Sequence, residues 1–323
     1  MEKYHALTPG EVADRLCRAE HPAVVLHTRA DGDTVGSAAA LMAMFRALGQ
    51  PAVYMSDAPV PARLAFLTEG WERVTDPTGY TPLAVDVASP RQLGALLPVL
   101  TGEHACAFMI DHHATGEPFA DYCTLPEASS AAEVVFGIAE ELIRRGKLTL
   151  TRDIATPLYA GIVSDTGGFR FSNTTPATHR AAAELLAAGV DGADICRRLF
   201  DAKTAEVLRA EGMVAAGLQQ APGGITYVVI SRADRVAAGL SDGDFETAVD
   251  IVRSLAGTQV AFTVRENDAG EYKVSLRSVS RDVAAVAARF GGGGHIRAAG
   301  CAVVADSAAQ AAEKILAVLA ENK

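Results

Sequence analysis

The chain has 323 residues, 49% of them hydrophobic and 21% charged, which suits two packed domains and excludes a disordered or collagen-like polypeptide. Its net charge of −10 excludes a protein that coats long duplex nucleic acid through a broad basic face, so an anionic substrate would need local attraction. No apolar run approaches the ~20 residues of a membrane span, and the five cysteines, scattered and free of any C-x-x-C pair, read as buried small hydrophobes; a cytoplasmic protein that stays off the membrane is expected.

Short apolar runs alternate with helical patterns through the first half. Residues 23–26 predict a strand and 34–48 a helix, and further strands are expected at 52–55, 83–87 and 105–110, the rhythm of a parallel sheet covered by helices. Helices follow at 130–145, 152–163 and 178–188, the last stopped by Gly189. From 189 to about 220 the pattern is polar and mostly helical. Beyond it, strands are expected at 225–230, 259–264 and 272–276, the last two joined by a turn at 267–270. A helix at 282–290 runs into four glycines, and a strand near 301–304 and a closing helix end the chain. The expected fold is α/β: a parallel-sheet domain over 1–188, a helical linker over 189–220 and a smaller α+β domain over 221–323.

Ionisable residues stand where the first strands end. His27-Thr28-Arg29-Ala30-Asp31-Gly32-Asp33 follows the first strand and opens the first helix, at the carboxyl edge where α/β sheets place their ligands. Taken alone, Asp31 or Asp33 reads as a helix cap, which leaves His27 unexplained. Asp86 sits in the apolar run 83–87, where a carboxylate is costly unless it is paired, cation-bound or capping a turn. Asp111-His112-His113 repeats the pattern; a lone histidine pair reads as solvent-facing or hydrogen-bonded, but three polar strand ends in one sheet converge. Asp165 follows the apolar helix, against the helix dipole, and is either exposed there or compensated by a cation.

Together His27, Asp31, Asp33, Asp86, His112 and Asp165 form a mixed imidazole and carboxylate set. It suits Mn²⁺, with Mg²⁺ and Co²⁺ sharing the chemistry, and the lack of thiolate pairs speaks against structural zinc. Six donors exceed the needs of one ion; two ions about 3.5–4 Å apart, bridged by one carboxylate, would use them all and activate a hydroxide for attack on phosphorus. In the second domain, the glycine run before His295 either opens backbone N–H groups to a phosphate or is a flexible turn, and Arg277 near a strand end is a substrate cation or an edge-strand arginine.

The segments HTRADGDTVGS, VDVAS, DHH, SDTGGFRFS and GGGGH, in this order and spacing, resemble the DHH phosphoesterase family, and GGGGHIRAAG is similar to its nucleotide-binding DHH-associated C-terminal domain. The likeness runs from about Val24 nearly to the end of the chain. Ala30, where a proline commonly stands, and Thr34, where a small apolar residue is frequent, depart from the pattern without touching ligation. The two-domain length is similar to the nano-RNase/pAp-phosphatase group rather than to the longer exonucleases with added nucleic-acid-binding domains.

The resemblance implies an active site in a cleft between the domains and hydrolysis of very short oligonucleotides, of 3′-phosphoadenosine 5′-phosphate (pAp), or of cyclic di-AMP and its linear products. It implies His27, Asp31 and Asp86 on one manganese ion and Asp33, Asp86, His112 and Asp165 on the other, with Asp86 as the bridge. His113 is then expected beside the scissile phosphate, and Arg277, Gly293, Gly294 and His295 against substrate phosphate. Ser129 and Ser130, at a helix N-terminus, are expected to receive another phosphate. The implied partners are short single-stranded RNA or DNA and mononucleotide bisphosphates; pairing into a homodimer is left open. Two rival readings stand beside this one: a pyrophosphatase-like hydrolase with the same metal chemistry, which the GGGGH segment disfavours, and a nucleotide-binding protein without turnover.

Overall fold

Strands β1 (Pro22–Val25), β2 (Val53–Met55), β3 (Arg73–Val74), β4 (Thr81–Val85), β5 (Met109–Asp111) and β6 (Tyr122–Thr124) pair in parallel in the order β3-β2-β1-β4-β5-β6. They belong to a computed structural model that describes residues 4–114 and 116–321, in which the chain divides into two units, 1–202 and 203–323. The order reverses between β1 and β4, the position where open α/β sheets leave a crevice at their carboxyl ends.

Alternation along the strands builds two cores. Val24, Leu26, Leu83, Val85 and Ile110 face a layer made by α1 (Pro9–Arg18), α2 (Gly32–Ala47) and, later in the chain, α4 (Ala131–Arg144), α5 (Arg152–Asp165) and α6 (Pro176–Ala187). Ala23, Val25, Ala84 and Met109 face Leu93, Leu96 and Leu100, from a 3₁₀ stretch and the short α3 (Leu97–Leu100). Such two-sided burial is why these strands read as continuous apolar runs.

The Ala-rich α2 is buried nearly all round, starts at its N-cap Asp31 and stops before Gly49, which takes a left-handed φ of 79°. It packs on α5 through glycines. A Cβ on Gly32 would collide with the Ser164 side chain, one on Gly36 would lie 2.5 Å from the Pro157 carbonyl oxygen, and one on Gly161 would lie 2.6 Å from the Ala132 Cβ. The backbone-to-backbone contact at Gly36 and the close approach of Ser164 to Gly32 set the start of α2 beside the end of α5, while Gly161 lets α4 in against α5.

Residues 189–220 carry α7 (Gly192–Cys196), α8 (Ala205–Ala216) and the start of β7 (Gln219–Ala221). Ile195 of α7 packs in the first unit's core, while Ala210 and Val214 of α8 pack in a core of the second. The second sheet adds β8 (Ile225–Ile230), β9 (Val260–Glu266), β10 (Tyr272–Ser278), β11 (Gly293–His295) and β12 (Ala298–Val303), in the order β11-β12-β10-β9-β8-β7, antiparallel except for β8 with β9. Helices α9 (Arg232–Ala237), α10 (Ala248–Arg253), α11 (Val283–Ala288) and α12 (Ala308–Glu321) complete it; α8 and α10 supply one core face, α11 and α12 the other.

Candidate metal centre

His27 stands just past β1 and Asp86 just past β4, on either side of the point where strand order reverses, and Asp111-His112-His113 closes β5. The N-terminus of α2 supplies Asp31 and Asp33, and the last residue of α5 is Asp165. All six expected donors therefore reach one place. Potential ligand atoms of His27, Asp31 and Asp86 lie within 4.8 Å of one another, as do those of Asp33, His112 and Asp165, and those of Asp86, His112 and His113.

Asp86 joins the groups. Its Oδ2 is 3.7 Å from His27 Nε2, while its Oδ1 is 3.8 Å from His112 Nε2 and 3.7 Å from His113 Nδ1. His112 Nε2 also lies 3.8 Å from Asp33 Oδ2 and 3.9 Å from Asp165 Oδ2. These separations are too long for hydrogen bonds and suit atoms that share a cation. Asp86 adopts a left-handed backbone, φ 57°, uncommon for an aspartate and typical of strain kept at functional sites.

Local contacts explain how each group is held. Asp31 does cap α2, its Oδ1 accepting from the Asp33 and Thr34 N–H groups, while also belonging to the first cluster. Asp33 accepts from the Ala131 N–H at 2.7 Å and the Ala132 N–H at 2.9 Å, so the N-terminus of α4 clasps its carboxylate. His113 Nδ1 lies 2.7 Å from Asp111 Oδ1. Asn173 Nδ2 donates to Asp165 Oδ2 at 3.1 Å and to the Ser129 carbonyl at 2.8 Å.

Residues 22–162 match the DHH family N-terminal domain and 224–321 the DHHA1 domain. The chain is 33% identical to the bifunctional oligoribonuclease and PAP phosphatase NrnA of Thermus thermophilus, over 96% of this chain and 93% of that protein. The chain belongs to the DHH phosphoesterase family. It is also 27% identical to the protein of the same name from Bacillus subtilis, over 86% of this chain and 87% of the relative. Its fold matches the crystal structure of an exopolyphosphatase-related protein from Bacteroides fragilis with a TM-score of 0.88 at 23% identity, covering 99% and 98% of the two chains.

DHH phosphoesterases are metal-dependent, and the donors of this one fit a divalent cation. Burial pushes the Asp33 carboxyl up to about 7, aided by the Asp31 charge and opposed by the two α4 N–H groups. Burial likewise holds Asp86 and Asp165 well above the usual carboxylate range, with the neighbouring Asp33 charge adding to both. For His27, burial lowers the pKa, favouring the neutral imidazole that binds metals. Burial opposes charge on His113 too, but its hydrogen bond to Asp111 and the surrounding carboxylates raise it on balance. Carboxylates this crowded and desolvated need a nearby positive charge to ionise together.

The expected substrate contacts of this DHH protein fare differently. Ser129 and Ser130 are fully buried: the Ser129 hydroxyl donates to Glu133, Ser130 caps α4 by accepting from the Glu133 N–H, and the next two N–H groups serve Asp33. This helix end thus receives a carboxylate of its own chain where a phosphate was expected. Gly293 and Gly294, expected in a loop, are paired as the edge strand β11, with Gly293 opposite Gly300 and Gly294 opposite Ala299. Gly292, just before the strand, and Gly294 are needed because a Cβ on the first would collide with the Gly300 carbonyl and one on the second would lie 2.5 Å from the Ala298 oxygen, whereas a Cβ on Gly293 would meet open space. Arg277 is half-buried on β10, its backbone opposite Ala298, which in turn faces His295 of β11. The His295 side chain lies outside the described residues.

Three site residues escaped the sequence reading. Asp111 was seen only as part of its motif, Asn173 carries no pattern beyond a polar loop, and Thr34 read as a neutral departure. A polar residue three positions after the N-cap Asp31 was the one available signal for Thr34.

Proposed function

We propose that the protein is a cytoplasmic hydrolase of short oligonucleotides and pAp, working with two divalent cations, most economically Mn²⁺. The observation that carries this is Asp86, whose two carboxylate oxygens face different histidines across the reversal point of the sheet. Support comes from the activity named for the Thermus thermophilus and Bacillus subtilis relatives.

His27, Asp31 and Asp86 would hold one ion and Asp33, Asp86, His112 and Asp165 the other; bound there, the pair would neutralise phosphate oxygens and make a water acidic enough to attack phosphorus. The chain's own groups do the rest. Asp86 sets the two positions relative to one another. Asp111 holds His113 through Nδ1, which orients the ring, and that hydrogen bond favours the protonated imidazole, so His113 would pass a proton to the leaving oxygen. Arg277, with the main chain of Gly293 and Gly294 and with His295, grips a terminal phosphate, so an acidic protein attracts its anionic substrate locally.

The test is a metal-dependent panel of pAp, pApA, cyclic di-AMP, di- to pentanucleotides, longer single strands and pyrophosphate, read by product chromatography. Phosphate or mononucleotide release confined to pAp and the short oligonucleotides is expected. Turnover of pyrophosphate alone, or binding of pAp without product, overturns the reading.

A further inference from the structure

Thr34 lies in the first turn of α2, with no exposed surface. A threonine near a helix start ordinarily turns its hydroxyl to a backbone group or to the cap. Here Oγ1 is 2.5 Å from His27 Nε2, 2.5 Å from Asp86 Oδ2 and 3.2 Å from Asp31 Oδ1, one contact with every member of the first cluster.

A hydroxyl has one proton, and the three neighbours are unequal claimants. Asp31 Oδ1 is the most distant and already accepts from the Asp33 and Thr34 N–H groups. His27 Nε2, also at 2.5 Å, makes no claim on that proton in the neutral tautomer that carries hydrogen on Nε2, whose N–H donates to the hydroxyl oxygen. Asp86 Oδ2 remains, at the short separation of an O–H donating to an anion. A threonine in a helix divides between two χ1 rotamers, and the short contacts to His27 and Asp86 select the one that turns the hydroxyl into the cluster.

We infer that Thr34 is a positioning residue: its hydroxyl donates to Asp86 Oδ2 and locks the rotation of that carboxylate, so that Oδ2 serves the His27–Asp31 group while Oδ1 stays with His112 and His113. This rests on the metal-dependent reading above. It also assigns Thr34 a role in the selectivity of one ion position over the other, because the contact is made to one oxygen only.

The test is binding of Mn²⁺ alone to the metal-free full-length protein, followed by the loss of the free-ion electron paramagnetic resonance signal, for wild type, Thr34→Val and Thr34→Ser. Valine keeps the shape and removes the hydroxyl; serine keeps the hydroxyl. Removing a group that orients a ligand typically weakens metal binding about 10- to 100-fold. That loss is expected at one of the two Mn²⁺ positions in Thr34→Val, with the other within about threefold of wild type, and near-complete rescue in Thr34→Ser. Wild-type binding at both positions in Thr34→Val overturns the assignment, as does an equal loss at both, or a serine variant as weak as the valine one. Should circular dichroism show Thr34→Val unfolded, Thr34→Ala replaces it with the same expected outcome. A wild-type protein that takes up no pair of Mn²⁺ ions defeats the broader reading, whereas two bound ions insensitive to Thr34→Val defeat this inference alone.

Discussion

In the first unit, β1, β4 and β5 are four, five and three residues long, and their ionisable groups stand at or past the last paired residue; in the second, β9 and β10 run seven residues each and Arg277 lies within the paired register. The first arrangement uses chain ends. Strand termini, one helix start and one helix end point ligand groups at a common centre, and Asp33 and Asp165 are braced by hydrogen bonds from outside their own helices. The second uses a sheet face, with an arginine among alternating residues and a glycine strand at the edge. A centre made of chain ends is rigid and suits fixed ions; a sheet face and edge suit ligands that differ in shape.

The largest effect that can break this contrast is expected at Asp86. Asparagine tolerates the left-handed backbone there, so Asp86→Asn removes charge while leaving the strand end intact. Loss of the charge stabilisation attributed to paired metals, several kcal/mol, corresponds to a fall in turnover of about a thousandfold or more. Steady-state assay on pAp, with circular dichroism to verify folding, checks it, and near-normal turnover would remove the proposed centre.

Arg277→Ala probes the other side. Hydrogen bonds to charged groups contribute about 1.5–3 kcal/mol, so KM for a dinucleotide should rise about 10- to 100-fold while hydrolysis of bis-p-nitrophenyl phosphate, which lacks a terminal phosphate, changes little. Equal losses on both substrates would show that Arg277 acts on the fold rather than on the ligand.

The same contrast explains what could be read from the chain. His27, Asp86 and His112 were visible because buried parallel strands read as unbroken apolar runs and any ionisable residue at their ends stands out. Asp33 and Asp165 were visible through their short motifs. By comparison β3, two residues long, and β6, Tyr122–Thr124, have no apolar run, and β11 is made of glycines and a histidine, so their pairing is supplied by neighbours rather than by local preference. Helix α1 did carry a readable signal, Pro9 after the N-cap Thr8 and the reciprocal Thr8–Glu11 capping box. Asn173 and the Asp33–α4 contact depend on residues far apart in sequence, and no local pattern encodes them.

A third expectation concerns the helix contact that brings the ends together. In Gly36→Ala the added Cβ would press on the Pro157 carbonyl and the Gly161 main chain, neither of which can rotate away. Overpacking of this kind costs about 1–3 kcal/mol, which denaturant unfolding would register as a lower midpoint at unchanged slope. An unaltered midpoint would mean that α2 and α5 separate freely and that the spacing of Asp33 and Asp165 is set elsewhere.

The smallest effect is one of pH on the metal-free protein. With its pKa raised from about 3.9 unfolded to about 7 folded, Asp33 keeps in the native state a proton that the unfolded chain releases. Between those two values the native state binds more protons, so its stability falls as pH rises. Asp86, Asp165 and His113, all raised on folding, act in the same direction, and His27, lowered by burial, opposes them. The metal-free protein should therefore melt a few degrees higher at pH 5.5 than at pH 7.5, and Asp33→Asn should flatten that slope. Added Mn²⁺ should stabilise more at pH 7.5 than at pH 5.5, because its ligands bind deprotonated. A melting temperature that rises with pH in the metal-free protein would show that these carboxylates are ionised without a cation, and with it the electrostatic case for a metal at the chain ends would fail, while the sheet face of the second unit would be untouched.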